Sequence, residues 1–389
     1  MTMTTESPFA AAGAYRPAEL HDDRGIRVAA VFTSAADEYR AAREGLVVFE
    51  RSTRRLLAIT GRDRATWLHN LVTNAIKPLT PGTGCYTFAI DVRGRVVFDA
   101  NILCLEAGLL LDVDHHSLSG ARAHLDRYHF SEDVNLEPDD ANARLACAGP
   151  RAAQAAARCG VGGFDALMPL ASVAVAPLPS PSPPSAGERD LRVAAEASPA
   201  SVRASLANAD TPRSIASAPR FVRHDLTGLP GFELIVPREA AAAWWDVLVR
   251  DAGATPAGFH AIDALRIQAA IPWSGRDIDD KVIPPETGQG TRGVSYNKGC
   301  YLGQEVLERM RSHGTLARRL VRLRIADGAG LALPTPLRRG AAEVGRVTSL
   351  VRHPVDHDWI GLGYVRTSVV QLDELTAGAP PRAVRIVPE

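Results

Sequence analysis

The sequence predicts an α+β protein built from more than one unit, and three observations lead there. Short apolar runs of strand length alternate with turns and amphipathic helical stretches. The last segment, 316–389, is a series of short strands broken by Gly, Pro and Asp, which suggests a small β-barrel or sandwich. A chain of 389 residues has room for two or three domains at roughly 150 residues each.

Residues 1–25 read as a loose, partly polar, flexible N-terminal arm. The first α+β unit, 26–140, contains a strand at 54–60 closed by Gly61. Asp63 stands where an N-cap belongs, ahead of a helix whose Trp67, Leu68, Leu71 and Val72 form one apolar stripe. The stretch 81–84 (PGTG) is turn chemistry. Two antiparallel strands are predicted next, 85–91 and 95–104, joined by a short loop ending at Gly94. A third strand follows at 109–113, then a helix at 117–128.

The second α+β unit, 141–252, opens with a strand at 143–147. Gly149 and Pro150 begin an Ala-rich helix that runs to Arg158, Pro150 suiting a first-turn position. Residues 177–184 (PLPSPSPP) hold five prolines in eight positions. A segment this poor in large apolar residues cannot offset its ordering entropy, so 176–218 is predicted to be a disordered insertion. Order resumes with a strand at 231–236 and a helix at 238–252 that buries Trp244, Trp245 and Leu248. The segment 253–315 carries a helix at 258–269, a loop-rich stretch to Lys298 and helical residues at 300–311.

Apolar residues at 46% and charged residues at 23% are ordinary for a folded chain and exclude wholesale disorder. Lys plus Arg, at 44, equal Asp plus Glu, at 44. That balance leaves no electrostatic footprint for direct nucleic-acid or membrane binding. Five cysteines, odd in number and without a CxxC pair, supply neither a disulfide framework nor a zinc ribbon. With no basic and apolar leader and no run of about 18 apolar residues, a reduced, cytoplasmic location is expected. No metal site is predicted: His353, His357 and Asp358 flank Pro354 and read as an exposed polar turn. Gly288–Gly293 fits GxGxxG literally, but no strand precedes it, so it reads as a flexible loop.

The densest motif is Lys298-Gly299-Cys300-Tyr301-Leu302-Gly303-Gln304-Glu305. Cys300 follows a flexible glycine and precedes a predicted helix. The positive end of the helix dipole and Lys298 would both favour its reactive thiolate. Packed under the Tyr301 ring as a small hydrophobe, it would instead be inert.

This motif resembles the K-G-C-Y-x-G-Q-E signature of the YgfZ-type folate-binding proteins, relatives of the T-protein (aminomethyltransferase) of the glycine cleavage system. Further segments are similar: Gly61-Arg62-Asp63 with Thr73-Asn74, where Ala75 replaces the family's Asp; Gly94–Asp99; and Arg223 with Thr227–Glu233. So are Asp263-Ala264-Leu265-Arg266 and the barrel segment Gly361–Arg366. The resemblance implies a three-part cloverleaf, two α+β units and a C-terminal β-barrel around a central hole that accepts tetrahydrofolate or a one-carbon-substituted folate.

A pterin edge offers adjacent N–H donors that one carboxylate can accept, and Glu233 is the candidate. Arg266 and Arg223 are candidates for the anionic glutamate tail, with a structural Arg266–Asp263 ion pair as the competing account. Tyr301 joins them among the folate-contacting residues. The resemblance further implies an accessory protein for assembly or repair of [4Fe–4S] clusters in client enzymes, tRNA-modifying ones included, with Cys300 as its functional thiol and Tyr301, Gln304 and Glu305 around it. The alternative is a folate-dependent aminomethyltransferase or demethylase, in which Asp99, on the strand next to Phe98, stands near the reacting amines of the folate.

Overall fold

The computed structural model describes residues 7–178, 215–216, 218–314, 316–370 and 374–388. Strands Gly84–Ile90, Val96–Cys104, Leu109–Asp114, Arg54–Thr60 and Asn135–Pro138 form a five-stranded antiparallel sheet in that order. Successive side chains of a strand point to opposite faces. Phe98, Ala100 and Ile102 therefore join a core with Trp67 and Leu68 of helix Arg64–Leu71 and Ala121 and Leu125 of helix Leu118–Arg127. The other face of the same strand carries Asp99 and Asn101, both buried.

A six-stranded sheet is ordered Ser172–Ala174, Arg220–Arg223, Gly231–Pro237, Asn142–Ala148, Val47–Glu50, Thr255–Pro256. Trp244, Trp245 and Leu248 of helix Ala241–Arg250 and the alanines of helix Ala152–Arg158 cover one side of it. The apolar stripe of helix Phe259–Gln268, Ile262 and Leu265, meets this sheet's Phe49 and Ala146 and the barrel's Ile360 and Leu362. The barrel closes with strands Arg318–Ile325, Trp359–Arg366, Ala342–Arg352, Thr335–Arg339, Leu375–Ala377 and Arg382–Val387. Closure removes the exposed edges that an open sandwich of such short strands would leave.

Several expectations are corrected. Over its described part, 7–25, the N-terminal arm is packed: Phe9 is 0% exposed against Trp245 and Tyr15, and Glu19–Asp23 pairs with Ile26–Val31. Three aromatic rings bury enough apolar area to hold a segment that its polar composition alone would leave loose. Asp63 makes no side-chain cap bond to its helix, because Asp63 Oδ2 accepts the Asp133 N–H at 2.9 Å. The helix expected at 300–311 is Gln304–His313. His353 is buried rather than exposed, with Nε2 2.9 Å from Gln268 Nε2. Most of the predicted 176–218 insertion lies outside the described residues. Among the described residues no helix is long and apolar enough to cross a membrane.

Candidate functional site

The inner faces of the two sheets meet across a layer of charge. Alternation along the strands turns Arg54, Asp112, Arg144 and Glu233 away from the apolar clusters behind each sheet. Arg144 donates to Asp112 of the first sheet and to Glu233 of the second. Arg54 Nε donates to Asp112 at 3.0 Å, and Asn101 Nδ2 donates to the other Asp112 oxygen at 2.8 Å. Glu233 also meets His224 Nδ1 at 2.7 Å and Arg51 at 3.5 Å.

Burial alone would raise both carboxyls. Arg144 and Arg54 beside Asp112 instead hold it well below the usual carboxylate range, and Arg144, Arg51 and His224 do the same for Glu233. Burial lowers His224 against the pull of Glu233. Both carboxylates of this layer are paired, as a dry interior demands, while three guanidinium groups share them.

Beside the layer lies a half-open cavity. Asp99, Asn101, Tyr86, Arg51 and Arg54 line one part of it, and Leu226, Ile271, Pro272 and Trp273 supply an apolar part. Tyr86 Oη donates to Asp99 Oδ2 at 2.9 Å. Burial, reinforced by Asp99, pushes the Tyr86 phenol well above its ordinary range, so it stays a donor. Asp99 Oδ1 and Asn101 Oδ1 are buried acceptors without a partner. Two orphaned acceptors on the wall of one cavity suit a ligand that brings N–H donors. Arg292 lines the same cavity, its guanidinium 4.1 Å from the centre of the Tyr86 ring.

Of the expected site residues, only Asp99, the candidate for chemistry, stands on this cavity, and none of the four expected to hold folate lines it. Glu233 is 1% exposed and sits behind Arg51 and His224, which bond it; its capacity is taken by the charge layer. Arg266 is 0% exposed and bonds Asp263 at 2.7 Å and Ser349 at 2.8 Å, with Asp277 as a third partner. It ties its helix to the barrel and has no face left for a glutamate tail. Arg223 pairs with Asp225, donates to the Gly231 carbonyl at 2.8 Å and lies over Phe164, so it braces its own hairpin. Tyr301 packs in the core with Tyr86, Phe88 and Leu307, off the cavity lining.

The motif around Cys300 resolves into distinct jobs. The Lys298 ammonium donates to the carbonyls of His69, Val72 and Asn74, closing the C-terminal end of helix Arg64–Leu71. Burial lowers it to about 8. Gly303 has φ +77°, and a Cβ there would sit 2.4 Å from the Asp91 carbonyl. Gly299 has open space around it, and nothing in the structure requires glycine there. Gln304 Oε1 accepts the Tyr301 N–H at 3.3 Å, and Glu305 forms an exposed pair with Arg309. Cys300 is exposed, unlike the other four cysteines, and lies in a separate surface hollow with His69, Lys77 and Asn297. It does not sit at a helix N-terminus, since the helix begins four residues later. The structure therefore separates Cys300 from Asp99.

The family model for the GCVT N-terminal domain matches residues 3–165 and 213–296, more than half of the chain. The chain belongs to the GCVT family. Full-length relatives share its extent. The aminomethyltransferase of Geobacillus kaustophilus is 28% identical over 349 residues, covering 88% of this chain and 85% of the relative. That of Exiguobacterium sibiricum is 26% identical over 351 residues, covering 90% and 86%. The crystal structure of glycine cleavage system aminomethyltransferase T from Bartonella henselae superposes with a TM-score of 0.75 at 19% identity, covering 95% of this chain and 93% of that one. The predicted α+β architecture with a C-terminal barrel is thus that of the GCVT fold.

On this GCVT scaffold, sequence reasoning missed Tyr86, Asn101, Trp273 and Arg292. Asn101 was legible as the next residue on the Asp99 face of the strand. Arg292 lies in the Gly288–Gly293 segment read as a flexible loop; its second part instead forms a short turn of helix, Gly290–Gly293, and Arg292 lines the cavity. Among the described residues no cluster of His, Cys, Asp or Glu is set to hold a metal ion.

Proposed function

We propose that the chain binds a reduced folate in the Asp99 cavity and transfers a one-carbon unit to or from it, as an aminomethyltransferase or demethylase. The observation that carries this reading is Asp99 itself: a buried carboxylate with one oxygen held by Tyr86 and the other left without a partner, on a residue that lines the cavity. The names of the relatives at 28% and 26% identity support it. Bound there, tetrahydrofolate supplies the amines that carry the one-carbon unit. Asp99 Oδ1 accepts an N–H of the reacting amine, orients it and steadies positive charge as it develops. Tyr86 fixes the Asp99 rotamer, and Asn101 Oδ1 accepts a second donor. Trp273 and Leu226 wall the ring, and Arg292 takes the carboxylate role expected of Arg266 and Arg223. The test is formation of methylene-tetrahydrofolate from aminomethyl donors, with release of ammonia, or of methyl-tetrahydrofolate from methylated amines, with release of the demethylated amine. Turnover by the native protein and its loss in Asp99→Asn supports the reading; no turnover across these donors removes it.

A second reading rests on the Lys298–Glu305 motif and the exposure of Cys300. In it, folate binding serves an accessory role in assembly or repair of [4Fe–4S] clusters in client enzymes, with Cys300 contacting sulfur or cluster. In a strain lacking the gene, a [4Fe–4S] enzyme is assayed under oxidative stress. Rescue by Asp99→Asn but not Cys300→Ala selects this reading, and the reverse selects the transferase.

A further inference from the structure

Arg51 and Arg54, which line the folate cavity, also line a second, half-open cleft. Six arginines line it: Arg27, Arg51, Arg54, Arg55, Arg144 and Arg238. They converge from separate elements: the strand Ile26–Val31, the turn and strand around 51–55, the strand Asn142–Ala148, and the turn after Gly231–Pro237. Asp139 is the single carboxylate among the lining residues, and it accepts from Asn142 at 3.0 Å.

Part of the positive charge is already matched, since Arg51, Arg54 and Arg144 share two carboxylates, Glu233 and Asp112. Among the described residues, Arg27, Arg55 and Arg238 form no ion pair with a carboxylate. Arg51 and Arg144 each keep a buried Nε–H without an acceptor. Burial, with Arg144 and Arg54 alongside, brings Arg51 down to about 10 against the pull of Glu233. Like charge held in a walled cleft focuses the field and concentrates anions there. The planar guanidinium fork matches oxyanions two bonds at a time.

We infer that this cleft is a second binding site, for a small multivalent oxyanion carrying phosphate or clustered carboxylate groups. Arg55, Arg238 and Arg27 supply the unmatched charge, and Arg51 and Arg54 form the wall shared with the folate cavity. The site does not depend on the folate reading, because none of Arg27, Arg55 and Arg238 lines that cavity.

The test is calorimetric titration of the full chain with pyrophosphate and, separately, with citrate, at low and at high salt. Saturable binding at one site is expected, weakening with salt, and weaker by about tenfold or more in Arg55→Gln/Arg238→Gln. Tighter pyrophosphate binding assigns the site to phosphate compounds, and tighter citrate binding to carboxylates. Arg27→Gln, at an exposed residue, repeats the comparison if the double variant fails to fold. No saturable binding of either anion at low salt, or equal affinity in the folded variants, overturns the inference.

Discussion

Arg144 and Glu233 form an ion pair that joins two neighbouring strands, and the same guanidinium reaches Asp112 in the other sheet. One side chain thus fastens the two α+β layers next to the Asp99 cavity. Removing it takes the shared cation from two buried carboxylates, leaving Asp112 to Arg54 and Glu233 to Arg51 and His224. Arg144→Met is therefore expected to lower stability by about 3–5 kcal/mol, read as a fall in the urea midpoint. A variant as stable as the native protein would refute the role.

Arg266 is expected to behave the same way for the barrel. Arg266→Leu leaves Asp263 and Asp277 buried without their partner, again at about 3–5 kcal/mol. Arg292→Gln, on an exposed side chain at the cavity, should leave the unfolding midpoint unchanged and weaken tetrahydrofolate binding. Weaker folate binding in a fully folded Arg266→Lys, with Arg292→Gln silent, would reverse the two assignments.

At Asp99 the expected split is between chemistry and binding. Asp99→Asn should reduce turnover by roughly 10²–10⁴-fold, with folate affinity changed far less. Tyr86→Phe removes one hydrogen bond to the same carboxylate, about 1 kcal/mol, and should lower turnover modestly. Equal losses in the two variants would place the proton chemistry on Tyr86.

The pH dependence of stability follows from the buried titrating groups. His69 is lowered to about 4, by burial first and by Lys298 and Lys77 next. Its Nδ1 accepts two backbone N–H groups, from Ile76 at 3.1 Å and Lys77 at 3.3 Å, which only the neutral ring can do. Between pH 6.5 and about 4 the unfolded chain binds the extra proton, so stability is full above pH 6.5 and falls as the solution is acidified. His224, also lowered, adds to the same slope. Asp112 and Glu233 contribute stability above their unfolded values of 3.8 and 4.5 that is lost at lower pH. Urea midpoints measured from pH 7.5 to 4.5 should fall for the native protein and fall less for His69→Gln. Equal slopes would show that His69 does not set the dependence.

Thiol labelling checks the exposure of Cys300. Native protein should react quickly at one cysteine, identified by loss of that fast phase in Cys300→Ala. Burial pushes Cys85 up to about 12 and Cys159 to about 11, and Cys104 and Cys147 are buried. All four should label only on unfolding.

The sequence by itself determined many strands and helices of the two α+β units, the run of short strands at the C-terminal end and the place of Asp99 on its strand. Those rest on local signals: alternation along a strand, a 3.6-residue apolar stripe, turn residues at the ends. The chemical identity of Glu233, Arg266 and Arg223 was equally plain, but their use was not. A carboxylate or a guanidinium can hold a ligand or a protein partner equally well, and only the partner brought alongside decides. For Glu233 that partner is Arg144, 89 residues away. For Arg266 the Asp263 pair that the sequence offered as the competing account forms, and a barrel hydroxyl 83 residues away is a further partner. Lys298, which the motif sets next to a cysteine, is claimed by carbonyls more than 220 residues earlier. Conversely, Arg292 reaches the cavity because tertiary packing sets a glycine-rich turn against Tyr86. Local physics fixed which elements form, and long-range packing decided which charges were left free to meet a ligand.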